Sequence, residues 1–249
     1  MGSSSSYSST QYPASAESSR LLDTFDLQIQ DPGPNPQKVG IILEELRLPF
    51  AVKTIRNESQ QVGQVEERQN GGAPPVEDKN TGMIILNDPN NNVTLWESLA
   101  IVEYLIQTYD KEGNLHYAPN TQNWWMCQQW LAYQMGAQSP FFSLKAWFSN
   151  QHKDKVPSVI ERFSDDVVRI ASILEHYLAK SNGGYLVGDK CTFADLVFVP
   201  WNNKIGEVMG KQEASRILDK YPRYRDWHDK LMERPGVHRI MQNADISTQ

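Results

Sequence analysis

Glu97 and Ser98 stand side by side where a short apolar run, Val93 to Trp96, gives way to a longer run with helical spacing. A carboxylate and a hydroxyl at a helix start can do a specific piece of chemistry. The first N–H groups of a helix have no intrahelical acceptor, and the helix dipole favours an anion beside them. A ligand carrying both a carboxylate and an ammonium, as an amino-acid head group does, finds a partner there for each charge. The competing reading is structural, with Ser98 as an ordinary N-cap and Glu97 as a solvated strand end. A second group of interest is Asn35, inside Asp31-Pro32-Gly33-Pro34-Asn35-Pro36. Its amide can donate a hydrogen bond, and Pro36 suits a first helical turn, which makes Asn35 the expected N-cap.

These groups need a scaffold, and the composition bounds it. The chain has 249 residues, enough for two domains or one large one. Its net charge of -6 and the absence of a basic cluster argue against a nucleic-acid surface. No apolar run approaches the roughly 20 residues of a membrane span, and no signal-peptide core follows Met1. Cys127 and Cys191 lack metal-type spacing and read as reduced thiols of a cytoplasmic protein. The histidines at 116, 152, 176, 228 and 238 form no ligand set, so no metal site is expected.

Residues 1–20 are rich in serine and poor in apolar side chains, the composition of a disordered tail. From 21 to 110 the pattern mixes strands and helices. Phe25 to Ile29 alternates as a strand, and Val39, Ile42, Leu43 and Leu46 fall at helical spacing. Phe50 to Ile55 reads as a second strand, completing a β-α-β unit. Ala73 to Val76, Met83 to Leu86 and Val93 to Trp96 read as extended pieces separated by turn signals, and a helix from Ser98 to Tyr109 closes the region. After a polar linker at 111–122, residues 123–249 read as helical throughout. Trp124, Trp125, Gln128, Leu131 and Tyr133 open an aromatic-rich helix, and Val167, Ile170, Leu174 and Leu178 stripe another. Thr192 and Asp195 form a capping box, Pro200 interrupts the helix that follows, and a later helix runs from Tyr221-Pro222 to Arg234-Pro235. The segment Gly136 to Phe142 breaks helical periodicity.

Four stretches in this order carry a family resemblance. They are Gly33-Pro34-Asn35-Pro36-Gln37-Lys38-Val39, Ala73-Pro74 before a strand, Trp96-Glu97-Ser98, and Gly188 to Asp195. Over roughly Thr24 to Val237 the sequence resembles a cytosolic glutathione transferase. It is most similar to the fungal Ure2p-like type and to fungal secondary-metabolite transferases of the gliotoxin and pseurotin kinds. The resemblance implies an α/β plus all-α fold, with an N-terminal thioredoxin-like glutathione-binding domain followed by a C-terminal helical bundle that holds the substrate. It also implies glutathione as co-substrate or recycled cofactor and a homodimer.

Carried over by position, Glu97 takes the γ-glutamyl ammonium of glutathione and Ser98 its carboxylate. Pro74 matches the family's cis-proline, which exposes the backbone of Ala73 to the cysteinyl unit. With Pro74 in that register, the hairpin at 79–92 reads as an insertion; Ile84 fits the usual shorter spacing but is not a proline. The loop after the first strand offers no Tyr, Ser or Cys to stabilise the glutathione thiolate, and Asn35 matches the asparagine of the Ure2p-like type. Lys38, Lys53 and Arg56 are candidates by position for the glycyl carboxylate, although each reads more readily as a solvated surface charge. Tyr133, Gln138, Phe141, Phe142 and Trp147 are candidates to line the electrophile pocket, although an aromatic cluster at helical spacing is core more often than pocket.

Three functions fit this reading. The chain conjugates glutathione to a small hydrophobic electrophile, for detoxification or biosynthesis. Alternatively it isomerises a conjugated alkene by reversible thiolate addition. A third possibility is a non-catalytic regulator of the Ure2p kind, weakened because the tail is rich in serine rather than Asn and Gln.

Overall fold

The computed structural model of the chain describes residues 22–30, 32–54 and 84–242. The expected Ser-rich tail at 1–20, the Ala73-Pro74 pair and Arg56 lie outside the described residues. β1 (Phe25–Ile29), α1 (Pro34–Glu45) and β2 (Phe50–Thr54) form the β-α-β unit, with β1 and β2 paired in parallel. Alternation in β1 sends Phe25, Leu27 and Ile29 into the core, and α1 lays Val39, Ile42 and Leu43 over it.

β3 (Ile84–Asp88) and β4 (Val93–Trp96) form an antiparallel hairpin that completes a sheet of order β2-β1-β3-β4. This corrects the expectation that the 79–92 hairpin is an insertion. β3 is an inner strand, paired with β1 on one side and β4 on the other. Ile84, Ile85 and Leu86 are all buried. A continuous apolar run of that kind is the signature of a strand covered on both faces, and it outweighs an argument from proline spacing. The strand that joins β1 therefore begins at Ile84, where the shorter spacing pointed.

The turn between β3 and β4 is tied down by Asp88. Its carboxylate accepts from the Asn90 backbone N–H at 2.8 Å, Asn90 Nδ2 at 3.0 Å and Asn91 Nδ2 at 3.0 Å. Tyr104 Oη at 2.5 Å and the Tyr109 hydroxyl, both from the helix that follows, also donate to it. Burial alone would raise the Asp88 pKa, but these side-chain donors outweigh it and hold the group below its ordinary value.

α2 (Ser98–Tyr109) buries Ile101, Val102, Leu105 and Ile106 against the sheet layer. Asp110 then anchors the connection to the helical part. It accepts from the backbone N–H groups of Asn114 at 2.8 Å and Leu115 at 2.7 Å, and meets His116 Nδ1 at 2.7 Å.

α3 (Gln122–Tyr133) is capped by Thr121, whose hydroxyl accepts from Trp124 N at 3.2 Å. A π-helix at Gln134–Gln138 separates α3 from α4 (Ser139–Asn150). The expected break in periodicity is thus present and starts two residues earlier than Gly136. α5 (Pro157–Leu178) buries Val167, Ile170, Leu174 and Leu178 as the spacing required.

α6 (Phe193–Leu196) opens with the expected capping box. Asp195 also accepts from Leu186 N at 2.8 Å and Trp227 Nε1 at 3.0 Å, so a short helix becomes a rigid node. Pro200 falls in the first turn of α7 (Val199–Asn203), and α8 (Ile205–Met209), α9 (Lys211–Lys220), α10 (Pro222–Met232) and α11 (Pro235–Gln242) complete the chain. α11 returns to α1. Gly40 permits the approach, because a Cβ there would lie 3.1 Å from Ile240 Cδ1. Glu44 and Glu45 of α1 pair with Arg239 and Arg234. Cys127 and Cys191 are buried free thiols.

Candidate functional site

The Glu97–Ser98 seam joins β4 to α2. Glu97 occupies the N-cap position, with φ 72° and ψ 115°, and Ser98 is the first helical residue. Neither matches the expectation that Ser98 is the N-cap. A non-glycine residue at these angles is strained by about 1–3 kcal/mol and persists because its surroundings fix it. No side chain caps α2, and the first intrahelical bond runs from Ile101 N to Glu97 O at 3.0 Å. The preceding N–H groups are therefore left for an anion, beside an exposed Glu97 carboxylate and a Ser98 that is 2% exposed.

α1 supplies the opposite wall. Its N-cap is Gly33, with Pro34 at N1, so Asn35 is the second helical residue rather than the N-cap expected. Two prolines at 34 and 36 start the helix one residue sooner than one would. Asn35 Oδ1 accepts from Ser139 Oγ at 3.4 Å, and Ser139 Oγ in turn accepts from Trp201 Nε1 at 3.2 Å. With the carbonyl end taken up by the helical part, the Asn35 amide is the end left to donate.

Lys38, one turn further along α1, departs most from expectation. It was expected as a solvated charge and is 1% exposed. Its Nζ donates to Gln134 Oε1 at 2.9 Å and contacts Met135 Sδ at 3.0 Å, both from the π-helix. Ser98 Oγ lies 3.7 Å from the same sulfur. Burial pulls the Lys38 pKa down to about 7, only partly opposed by the negative charge of Glu97.

A chain of buried amides holds Gln134 in place. Gln134 Nε2 donates to Gln138 Oε1 at 3.0 Å, Gln138 Nε2 donates to Asn202 Oδ1 at 2.6 Å, and Tyr224 Oη donates to the same oxygen at 2.8 Å. Two donors on Asn202 Oδ1 fix that amide, which fixes Gln138, which turns the Gln134 carbonyl toward Lys38. The π-helix is what brings Gln134 and Gln138 onto one line with Lys38, since the extra residue per turn shifts the side chains around the axis.

The remaining expected residues separate into two groups. Gln138 and Phe142 were expected on a pocket wall; they are 0% and 1% exposed, the first inside the amide chain and the second against Trp201. A glutamine with both ends bonded and a phenylalanine with no free face cannot line an open cleft. Tyr133 and Phe141 are half-buried. Tyr133 packs edge-on to Trp130, and Phe141 lies against Phe163 with Arg169 over its ring. Trp147 is exposed and packs on Phe148 and His152. Lys53 is exposed and paired with Asp26 at 2.8 Å on the β2 edge, with two strands between it and β4, so the structure does not bring it to the seam.

The arrangement unites Glu97, Ser98, Asn35 and Lys38 with the π-helix at one junction between the sheet and the helices. Residues 142–243 match the C-terminal domain model of the glutathione S-transferases. The chain is 35% identical over 223 residues to the glutathione S-transferase-like protein tpcF of Aspergillus fumigatus, covering 87% of this chain and 94% of that protein. This chain belongs to the glutathione transferase family. It is also similar to two solved transferases of Phanerochaete chrysosporium. URE2P6, in complex with oxidised glutathione, superposes with a TM-score of 0.75 at 34% identity, covering 89% of this chain and 96% of that one. Ure2p5, crystallised with 1-(S-glutathionyl)-2,4-dinitrobenzene, gives 0.72 at 26% identity, covering 89% and 94%. The Ure2p-like resemblance read from Asn35 and the Glu97–Ser98 seam is therefore shared by whole chains.

Lys38, Gln134 and Met135 are the site residues that sequence reasoning missed or set aside. A lysine in an amphipathic helix reads as solvent-facing, and its burial depends on partners 96 and 97 residues away. The available signal was the pair Gln134 and Gln138 at i, i+4, polar residues on the inner face of an aromatic helix.

Proposed function

We propose that this chain is a glutathione-dependent transferase that activates the glutathione thiolate for attack on a small hydrophobic electrophile. The observation that carries this reading is the uncapped start of α2, where Glu97 and Ser98 offer a carboxylate, a hydroxyl and free N–H groups together. The γ-glutamyl ammonium pairs with Glu97, and its carboxylate accepts from Ser98 Oγ and the helix N–H groups. The sulfur then lies toward α1, where the Asn35 amide donates to it and the N-terminus of α1 adds a favourable potential. A thiolate is the nucleophile and a thiol is not, so each donor to sulfur raises the reactive fraction. An amide cannot take up the proton, which leaves to solvent. The thiolate attacks an electrophilic carbon, forming the C–S bond while the leaving group departs with the electron pair.

The glutathione complex of URE2P6 and the dinitrobenzene conjugate in Ure2p5 support both the ligand and the reaction class. The half-buried rings of Tyr133 and Phe141, near the π-helix, are proposed to meet the electrophile. The resemblance to secondary-metabolite transferases favours a small apolar biosynthetic intermediate, and the family favours a homodimer in the cytoplasm. No helix among the described residues is long and apolar enough to cross a membrane.

Incubation with glutathione and a panel of aryl halides, enones and conjugated dienes tests the reading, with adducts and geometric isomers followed by mass and chromatography. Stoichiometric adduct is expected, lowered about tenfold in rate by Asn35→Ala, a loss of about 1.4 kcal/mol of transition-state stabilisation. Isomerised diene with glutathione recovered would assign the isomerase reaction instead. No glutathione binding at millimolar concentration would overturn both.

A further inference from the structure

Lys38 is a buried lysine for which the described residues supply no counter-ion. Among the described residues no carboxylate lies within ion-pair distance of it, and its acceptors are one neutral amide oxygen and one thioether. Neither repays the removal of an ammonium from water, which is why full burial of an unpaired lysine is rare. The amide chain from Asn202 through Gln138 fixes the acceptor, so the side chain is held inward rather than left to reach solvent. Its Nζ and the Ser98 hydroxyl converge on one sulfur, Met135 Sδ, so they are no further apart than those two contacts laid end to end. The unpaired charge is therefore beside the hydroxyl and the helix N-terminus that favour an anion.

We propose that Lys38 is a third member of the γ-glutamyl carboxylate site, presented by the π-helix and charged fully only when that carboxylate arrives, so that ligand binding takes up a proton. This rests on the glutathione reading above. The ligand carboxylate supplies an opposite charge at ion-pair distance, which Glu97 acting from further away does not, and Met135 is the group it displaces from both Lys38 and Ser98. The junction holds few groups that could do this instead. Glu97 is the charge that acts on Lys38. The π-helix and α7 carry no titratable side chain. Of the elements packed on α1, α6 offers Asp195, which is engaged by Thr192, Leu186 and Trp227. α11 offers Arg239, paired with Glu44, and the exposed His238. α2 offers Glu103, Tyr104 and Tyr109, the two tyrosines bonded to Asp88.

The sign follows from linkage. With a free pKa of about 7, Lys38 is mostly neutral at pH 8. An opposite charge close by raises a lysine pKa by about 1–3, which corresponds to uptake of roughly half a proton or more per ligand at that pH. Affinity falls as pH rises from 7 toward 9.

The probe is S-methylglutathione, which keeps the head group and has no thiol proton to release. Calorimetric titration of the full chain at pH 8 in two buffers of different ionisation enthalpy reads the protons exchanged. The unaltered protein is expected to take up roughly half a proton or more. Lys38→Arg, permanently charged, is expected to bind within a few fold and take up none beyond what the ligand amine contributes. Lys38→Met is expected to bind about tenfold more weakly, also without the uptake. Binding with the same proton exchange in all three proteins overturns the role of Lys38 and leaves the glutathione reading standing. No binding by the unaltered protein overturns both. Should Lys38→Met fail to fold, Lys38→Arg alone decides.

Discussion

Asp88, at the β3–β4 turn, and Lys38, where α1 meets the π-helix, are each at most 2% exposed, and each carries a charge in its ordinary state. Around Asp88 five donors converge, two of them tyrosine hydroxyls from α2, and the carboxylate stays ionised more readily than a free one. Around Lys38 there are a carbonyl and a sulfur, and the ammonium loses its proton more readily than a free one. The same fold thus satisfies one buried charge completely and leaves another short. A complete shell locks structure, because every donor it holds is a piece of chain fixed in place. An incomplete shell next to the proposed binding seam stores an unmet interaction that a ligand can complete. Each side also carries a non-glycine residue at positive φ, Asn92 (φ 53°) in the turn of Asp88 and Glu97 (φ 72°) at the seam.

The comparison breaks most visibly at Asp88. Asp88→Ala strands several of its donors and is expected to cost about 3 kcal/mol. In a chain of this length that lowers Tm by roughly 6–12 °C. Affinity for S-methylglutathione, measured below the new Tm, is expected to change less than about twofold. Because the folded pKa of Asp88 is depressed, its contribution is complete at neutral pH and is lost as pH falls through about 4 and below. Acid unfolding of Asp88→Ala should accordingly be shallower than that of the unaltered protein.

The opposite result is expected at Lys38. Lys38→Met removes a cation that has no counter-ion among the described residues, so stability in the absence of ligand should change by less than about 1 kcal/mol, or rise. Denaturant titration reads this directly. A loss as large as that of Asp88→Ala would mean that Lys38 is a structural pillar and would erase the contrast.

How far the sequence carried this picture depended on whether a feature was local. β1, β4, α2 and the stripe on α5 follow from alternation or helical spacing within a dozen residues, and the structure keeps their bounds. The capping box at Thr192 and Asp195 is equally local. The β3 strand was read as an extended piece but assigned to an inserted hairpin, because its neighbour across the sheet, β1, is 59 residues distant at the paired position Leu27 against Leu86, and spacing from a proline stood in for that pairing. Lys38, Gln138 and Phe142 were each assigned the wrong exposure for the same reason. Their surroundings are made by Gln134, Asn202 and Trp201, which no window along the chain brings near them. The strand-to-helix seam at Glu97 and Ser98 was legible because it is itself a sequence-local event.

The account turns on glutathione being held at that seam. The direct measurement is calorimetric binding of S-methylglutathione to the unaltered chain and to Ser98→Ala, with circular dichroism confirming that both are folded. The account predicts micromolar-to-millimolar binding by the first and at least about tenfold weaker binding by the second, a loss of about 1.4 kcal/mol or more. Equal affinity in the two proteins would contradict it, because the carboxylate would then be held somewhere other than the start of α2.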